Sequence, residues 1–338
     1  MAKSFFDNLA KETGNAFIGQ FSDVDQYIDT GSYVLNALLS GSIYKGLPGN
    51  KITAFAGASS TGKTFFVLSV VKQFLDDNPD AGVMFFESES AITKDMLTER
   101  GIDPNRLIVI PVATVQEFKN QALKVVNGYL DQSSRPPMMV CLDSLGMLST
   151  TKELADSEEG KETKDMTRPG IIRAAFRVLT LKLGAAKVPM IVTNHTYDNI
   201  GGYGDPTQIS GGGGLKYAAD VILTLSRRKE KEGTDVIGNV IHCKAFKSRL
   251  TKENSQVDAL LRYDIGLHKY YGLTDLAVAA GIWENKSGRI ILEDGSKQFG
   301  KTIYGNPEKF FTKSVLDRID TYAQSQFLYG SANVELDA

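Results

Sequence analysis

The stretch Lys51-Ile52-Thr53-Ala54-Phe55-Ala56-Gly57-Ala58-Ser59-Ser60-Thr61-Gly62-Lys63-Thr64-Phe65-Phe66-Val67-Leu68 decides how the rest of the chain is read. Its first six residues suit a buried strand, and an apolar helix pattern runs over 65–75. Between them, the run 57–64 matches G-x-x-x-x-G-K-[ST], and a strand before it and a helix after it are the context this motif requires. Glycines let the backbone curl so that its N–H groups converge on an anion, and the helix N-terminus adds its partial positive charge. Gly57, Ser59, Ser60, Thr61, Gly62, Lys63 and Thr64 therefore form a candidate triphosphate cradle for ATP with Mg2+. Lys63 would reach the β- and γ-phosphates, and the Thr64 hydroxyl would ligate the metal.

Outward from this stretch, strands and helices alternate. Strands are expected over 83–86, 107–112, 138–142 and 190–193, and helices over 94–100, 115–130 and 170–184. Continuous apolar strands alternating with helices mean a mostly parallel sheet covered on both faces. After about residue 218 the strands 221–225, 240–246 and 259–263 follow one another without long helices, so the sheet is expected to finish antiparallel. From 272 the pattern turns to helix, short strands near 289–292 and a last helix over 308–326. The expected organisation is α/β, in three parts. An N-terminal helix and linker occupies 1–30, with Phe5, Phe6 and Leu9 on one helical face. A nucleotide-binding core occupies 31–270, and a small α/β lobe 271–338.

Composition narrows the function classes. The 338 residues are 42% hydrophobic, which is enough for a large core and argues against wholesale disorder. Lys and Arg number 38 against 40 Asp and Glu, a formal charge of −2, so any nucleic-acid surface must be local. No apolar run reaches the roughly 18 residues of a membrane span, and 1–15 has no signal-peptide core. A soluble, intracellular protein is expected, with Cys141 and Cys243 reduced and buried.

A phosphate site needs a second metal partner and a group that handles the attacking water. Met138-Met139-Val140-Cys141-Leu142-Asp143 is an apolar strand ending in a carboxylate, so Asp143 is the expected Mg2+ partner, with Ser144 placed to fix it. Strand 83–86 runs into Glu87-Ser88-Glu89, where a carboxylate faces the ligand crevice of an α/β sheet. Alternation puts Glu87 and Glu89 on the same side, so periodicity leaves both open as the base. Two segments do not fit a packed core. Residues 152–165 carry nine charges in fourteen positions, and 196–214 contains seven glycines. Both read as long loops, which inside a compact domain are functional or disordered.

The order GASSTGKT, FESES, MMVCLDS and IVTNHT resembles the RecA-like recombinase core. The likeness is closer to the phage branch, the UvsX type, through Asp143-Ser144-Leu145-Gly146, Asp165-Met166-Thr167-Arg168, Asn194-His195-Thr196-Tyr197, Gly211–Gly214 and Lys247-Ser248-Arg249. It runs from about Ile28 to the Tyr322 region. The resemblance implies that Glu89 is the catalytic glutamate and His195 the γ-phosphate sensor. It implies that Lys247 and Arg249 act across a protomer interface on the neighbour's γ-phosphate, as arginine fingers do, and that Tyr263 stacks on the neighbour's adenine. Met96 stands at the position that stacks on the protomer's own adenine. Segments 152–165 and 196–214 correspond to the two DNA-binding loops. Arg168, Arg173 and Arg177 are candidate phosphate contacts, Tyr203 a base-stacking residue, and Gly211, Gly212 and Gly213 a backbone grip on a single strand. The activity implied is DNA-dependent ATP hydrolysis coupled to homologous pairing and strand exchange. Head-to-tail filaments on single-stranded DNA are implied, with a homologous duplex as second substrate. A recombination mediator and a single-strand-binding protein are the implied partners, in the cytoplasm of a phage-infected bacterial cell. A RecA-core hexameric helicase and a ring-forming nucleotide-binding regulator are the rival readings.

Overall fold

The computed structural model describes residues 12, 23–24, 26–161, 164–198, 207–210 and 213–330. Phe5, Phe6 and Leu9 lie outside the described residues, as do Tyr203, Gly211 and Gly212. The described elements begin with strand β1 (Tyr27–Ile28), helix α1 (Tyr33–Ser40), β2 (Leu47–Pro48), β3 (Ile52–Gly57) and α2 (Lys63–Asp77). They continue through β4 (Gly82–Glu87), α3 (Lys94–Glu99), β5 (Leu107–Pro111), α4 (Val115–Leu130), β6 (Met138–Asp143), α5 (Thr151–Glu158) and α6 (Arg168–Ala186). Next come β7 (Met190–Asp198), β8 (Thr207–Ile209), α7 (Gly213–Ala218), β9 (Val221–Glu232), β10 (Asp235–Ser248), β11 (Gln256–Arg262) and β12 (Gly266–Leu267). The last part holds α8 (Leu273–Ala279), β13 (Glu284–Lys286), β14 (Arg289–Ile291), β15 (Lys297–Gln298), α9 (Gly300–Gly305), α10 (Pro307–Phe310) and α11 (Lys313–Phe327).

One large sheet carries the order β12-β11-β10-β9-β3-β7-β6-β4-β5, with β8 paired to β7. From β9 through β3, β7, β6 and β4 to β5 the neighbours are parallel. From β9 outward to β12 they are antiparallel. Every residue of β3 and β6 is buried, which is why both strands read as mostly apolar runs, broken only by Thr53 in β3 and ended by Asp143 in β6. Helices α1, α2, α8 and α11 supply one buried apolar cluster, and α4 and α6 supply the other, so both faces are covered. The residues after Gly272 join the first cluster. Leu273, Trp283, Phe311, Ile319 and Phe327 share it with Leu35 and Leu38 of α1, and Asp320 accepts from the Ser42 hydroxyl at 2.7 Å and the Ile43 N–H at 2.8 Å.

Three sequence expectations change. The helix read over 308–326 is broken into α10 and α11, because Thr312 is extended and its hydroxyl accepts from the Val315 N–H as a fresh N-cap. Segment 152–165 is not a plain loop, since Thr150 and Glu153 form a capping box that starts α5. Segment 196–214 is not a plain loop either. β7 runs on to Asp198 and pairs with β8, Thr196 opposite Ile209, and α7 follows.

Register fixes where the chemistry can sit. Gly57 lies beside His195 and Glu87 beside Asp143, so the C-terminal ends of β3, β7, β6 and β4 share one edge. That edge is where ligands bind in sheets of this kind.

Candidate nucleotide site and DNA-facing segments

The crest of the phosphate loop, Ala58 to Ser60, is exposed, while Lys63 is buried. The Lys63 ammonium donates to the carbonyls of Gly57 and Ala58, each at 3.0 Å. Burial lowers its pKa, opposed by the nearby carboxylates of Asp143 and Glu89. The Thr64 hydroxyl donates to Asp143 Oδ2 at 2.6 Å, and the Thr193 hydroxyl donates to Asp143 Oδ1. Burial raises the Asp143 pKa, and these two hydroxyls oppose the rise. Thr193 was not singled out from sequence; it lies within β7, beside Phe55 of the strand that leads into the phosphate loop. The Thr64 hydroxyl and the Asp143 carboxylate are adjacent hard oxygen donors, the set that Mg2+ takes alongside phosphate oxygens and water. Among the described residues no group of three or more His, Cys, Asp or Glu forms a self-sufficient metal site. A metal here would therefore complete its shell from the nucleotide and water.

The two glutamates left open by periodicity are placed differently. Glu87 is buried, and its Oε1 accepts the N–H groups of Glu89 at 3.0 Å and Ala91 at 2.8 Å. It ties the turn that ends β4. Glu89 faces the site. Its Oε1 accepts the Ser144 hydroxyl at 2.7 Å and lies 3.4 Å from His195 Nε2. Alternation does not apply beyond Glu87, because the strand stops there and Ser90 turns the chain at φ 52°. Ser144 thus holds Glu89 rather than Asp143, which corrects the sequence expectation.

His195 is pinned at its backbone. Its N–H donates to Asn194 Oδ1 at 2.9 Å, and its carbonyl accepts the Ser210 N–H at 2.9 Å. The Asn194 side chain also donates to the Ser210 carbonyl at 2.8 Å. Gly146 packs against the imidazole, and a Cβ there would lie 2.9 Å from His195 Cδ2. His195 and Asn194 are thereby joined to Ser210, just after β8.

Lys247 and Arg249 lie elsewhere. Lys247 pairs with Ile222, and Ile222 with Ala54. This is two strands over from β3 and roughly 10 Å short of the loop along the strand. The Lys247 ammonium donates to the carbonyls of Lys216 and Ala219 at 2.6 Å each. Arg249 donates to Asp220 Oδ1 at 3.0 Å and to the Tyr217 carbonyl at 3.2 Å. Within one chain, these cations close the end of α7 and do not meet the phosphate loop.

The model of the RecA N-terminal domain matches residues 5–268. The chain is 31% identical over 298 residues to the recombination and repair protein of Enterobacteria phage T4, covering 88% of this chain and 75% of that protein. The RecA proteins of a Nocardioides species and of Tropheryma whipplei are each 27% identical, over 286 and 325 residues. Those matches cover 81% and 93% of this chain, and 77% and 70% of the relatives. The chain belongs to the RecA family.

Of the two residues expected to stack on adenine, Tyr263 follows β11 and Met96 lies in α3. Tyr263, 65% exposed, sits on a hairpin that folds over this chain's own phosphate loop. A Cβ on Gly62 would lie 3.5 Å from Leu261 Cδ2, and one on Gly266 would lie 2.9 Å from Ser69 Oγ of α2. The Tyr263 hydroxyl accepts from the Asn239 amide at 3.3 Å. Met96 is half-buried in α3, and its carbonyl accepts from Arg100 at 2.9 Å. The Arg100 guanidinium in turn covers the Phe65 ring at 4.3 Å.

Arg168 opens α6. Its guanidinium donates back to the carbonyls of Gly146 at 3.1 Å and Leu148 at 2.8 Å, so it pins the chain after β6 and does not face outward. Arg173 and Arg177 are exposed on α6, with Arg173 5.6 Å from the centre of the Tyr217 ring. At the start of α7, a Cβ on Gly213 would meet the Tyr217 ring at 2.9 Å, while Gly214 presses against α6. A Cβ on Gly214 would lie 2.7 Å from Ile172 Cγ2 and 2.9 Å from the Arg173 nitrogen. Asp165, buried, accepts the Thr150 hydroxyl at 2.8 Å and the Thr167 hydroxyl at 2.6 Å, so the highly charged segment is clipped shut at its base.

Proposed function

We propose that this RecA-family chain is an ATP-dependent recombinase of DNA recombination and repair. It assembles head-to-tail on single-stranded DNA, hydrolyses ATP in a DNA-dependent manner and pairs the bound strand with a homologous duplex. The observation that carries this reading is the placement of Glu89. Its carboxylate stands at the C-terminal edge of the sheet with Lys63, Thr64 and Asp143, one oxygen held by Ser144 and reached by His195. Glu89 would orient the attacking water and take its proton. Lys63 and the backbone of the phosphate loop would hold the β- and γ-phosphates. Thr64 and Asp143 would hold Mg2+, which would neutralise phosphate charge.

Lys247 and Arg249 lie far from the loop of their own chain, which supports their action on a neighbour's nucleotide. A heterologous contact of that kind builds open filaments. His195, tied through Asn194 and Ser210 to the second DNA-facing segment, would couple nucleotide state to DNA grip. A mediator and a single-strand-binding protein are expected partners. No helix among the described residues is long and apolar enough to cross a membrane. The proposed place of action is the cytoplasm of an infected bacterial cell. The test is ATP hydrolysis with and without single-stranded DNA, together with electron microscopy. DNA-stimulated hydrolysis and helical filaments are expected. Closed rings that translocate on DNA would point to a helicase, and rings indifferent to DNA to a regulator.

A further inference from the structure

The end of β6 is locked to the end of β4 by a reciprocal pair. The Ser144 N–H donates to Ser88 Oγ at 2.9 Å, and the Ser88 hydroxyl donates to the Ser144 carbonyl at 2.9 Å. Ser144 is fully buried, and its hydroxyl donates at 2.7 Å to Glu89 Oε1. His195 approaches the same oxygen at the longer distance of 3.4 Å, from a strand whose continuation leads into the second DNA-facing segment. One carboxylate oxygen therefore has two donors, one built into the rigid sheet edge and one on an element that leaves it.

We propose that Ser144 is the positioning residue for Glu89. It holds Oε1 fixed and leaves Oε2 to meet the attacking water, with or without His195 in place. This rests on Glu89 acting as the base. In that step the water oxygen bonds to the γ-phosphorus, its proton passes to Oε2, and the bridging oxygen leaves with ADP carrying the bond pair. Removing the Ser144 hydroxyl frees the carboxylate to rotate, and near-attack geometry is lost while ATP binding stays intact. A neighbouring serine explains nothing of this kind for Asp143, whose two oxygens are already taken by Thr64 and Thr193.

The experiment uses the full chain with ATP, Mg2+ and single-stranded DNA. Ser144→Ala and Ser144→Cys remove the strong donor at nearly constant volume, and Ser144→Thr restores a hydroxyl. In both donor-less variants kcat should fall about tenfold or more, the usual effect of losing a hydrogen bond to a charged group. The KM for ATP should stay within about twofold, and filaments should form as before. Ser144→Thr should recover most of the loss. In a Glu89→Gln background, Ser144→Ala should change kcat by less than about twofold, because the two residues act as a unit. A crystal structure of Ser144→Ala should show the Glu89 carboxylate turned from its place, and this readout needs no hydrolysis. Unchanged kcat in both donor-less variants, or a loss that multiplies with Glu89→Gln, overturns the proposal. An unmoved carboxylate in the Ser144→Ala crystal does so too. Should Glu89→Gln itself hydrolyse ATP normally, the base assignment fails first, and the proposal with it.

Discussion

Lys63 and Lys247 are both lysines whose ammonium groups donate to backbone carbonyls and whose pKa is lowered first by burial. Their settings differ in what lies beside them. Around Lys63, the partners for a nucleotide are already gathered, with Thr64 on Asp143 and Glu89 held by Ser144. Around Lys247 there is the end of α7, and the carbonyls of Lys216 and Ala219 occupy its charge while Asp220 occupies that of Arg249. The strand-end half of the site is preassembled. The opposite half holds its cations on a helix end, whose partial negative charge resembles the phosphate they would meet. On the proposed reading, chemistry that needs both halves would wait for assembly.

The largest effect that could break this comparison comes from Lys247→Ala/Arg249→Ala. DNA-stimulated hydrolysis should fall by about 10³-fold or more, the scale of a cation supplied in trans. Nucleotide binding by an isolated protomer should stay within about twofold. Mixing this variant with Glu89→Gln protein should restore part of the activity, since one type of mixed interface joins an intact loop to intact cations. Mixed filaments that remain inactive would mean the cations serve their own chain.

Glu89→Gln should slow hydrolysis by about 10²-fold or more while sparing ATP binding and filament formation. Glu87→Gln should act on folding instead. Its buried carboxylate accepts two backbone N–H groups, and weakening such bonds costs about 1–3 kcal/mol, read as a lower melting temperature with near-normal kcat. The reverse pattern would show that the turn after β4 is misread.

These two glutamates also mark where sequence stops being legible. The strand–loop–helix at Ile52–Gly57 and Lys63–Asp77 can be read because an apolar run, a glycine motif and a helical face agree. Helix Val115–Leu130 matches end to end because Thr114 caps it, accepting from the Glu117 N–H. Choosing Glu89 over Glu87 needs the turn at Ser90, which no periodicity reports. β9 and β10 run well beyond the apolar runs at 221–225 and 240–246, since the antiparallel backbone ladder continues through pairs such as Lys231 with Val236. Helix α5 was signalled by Thr150 and Glu153, but the charges of 152–165 obscured the capping pattern. Thr193 lies in the register of β7, far from Asp143 in sequence, and only the sheet brings them together.

A smaller effect sharpens the link between the two halves. Gly214→Ala places a methyl 2.7 Å from Ile172 Cγ2 and 2.9 Å from the Arg173 backbone nitrogen. Overpacking of this kind costs about 1–3 kcal/mol, so the melting temperature should fall by a few degrees. Because α7 also carries the carbonyls that hold Lys247, its displacement should raise hydrolysis without DNA relative to hydrolysis with it. A melting temperature unchanged from the parent would mean that α7 is not pressed on α6 in solution.

The smallest expected effect separates three arginines on one helix. Each contact between a cation and a single strand's phosphate contributes about 0.7 to the slope of log affinity against log salt. Arg173 and Arg177 are exposed on α6, so Arg173→Ala and Arg177→Ala should each flatten that slope by about 0.7 per protomer, with little dependence on base sequence. Arg168 spends its donors on the carbonyls of Gly146 and Leu148. Arg168→Ala should leave the slope unchanged and show itself as lower stability, because two carbonyls after β6 lose their partner. Fluorescence anisotropy of a labelled homopolymeric strand, with a non-hydrolysable ATP analogue over a series of salt concentrations, measures all three. If Arg168→Ala flattens the slope and Arg173→Ala does not, the guanidinium of Arg168 turns outward when DNA binds. The start of α6, rather than its exposed face, would then be the part that grips the strand.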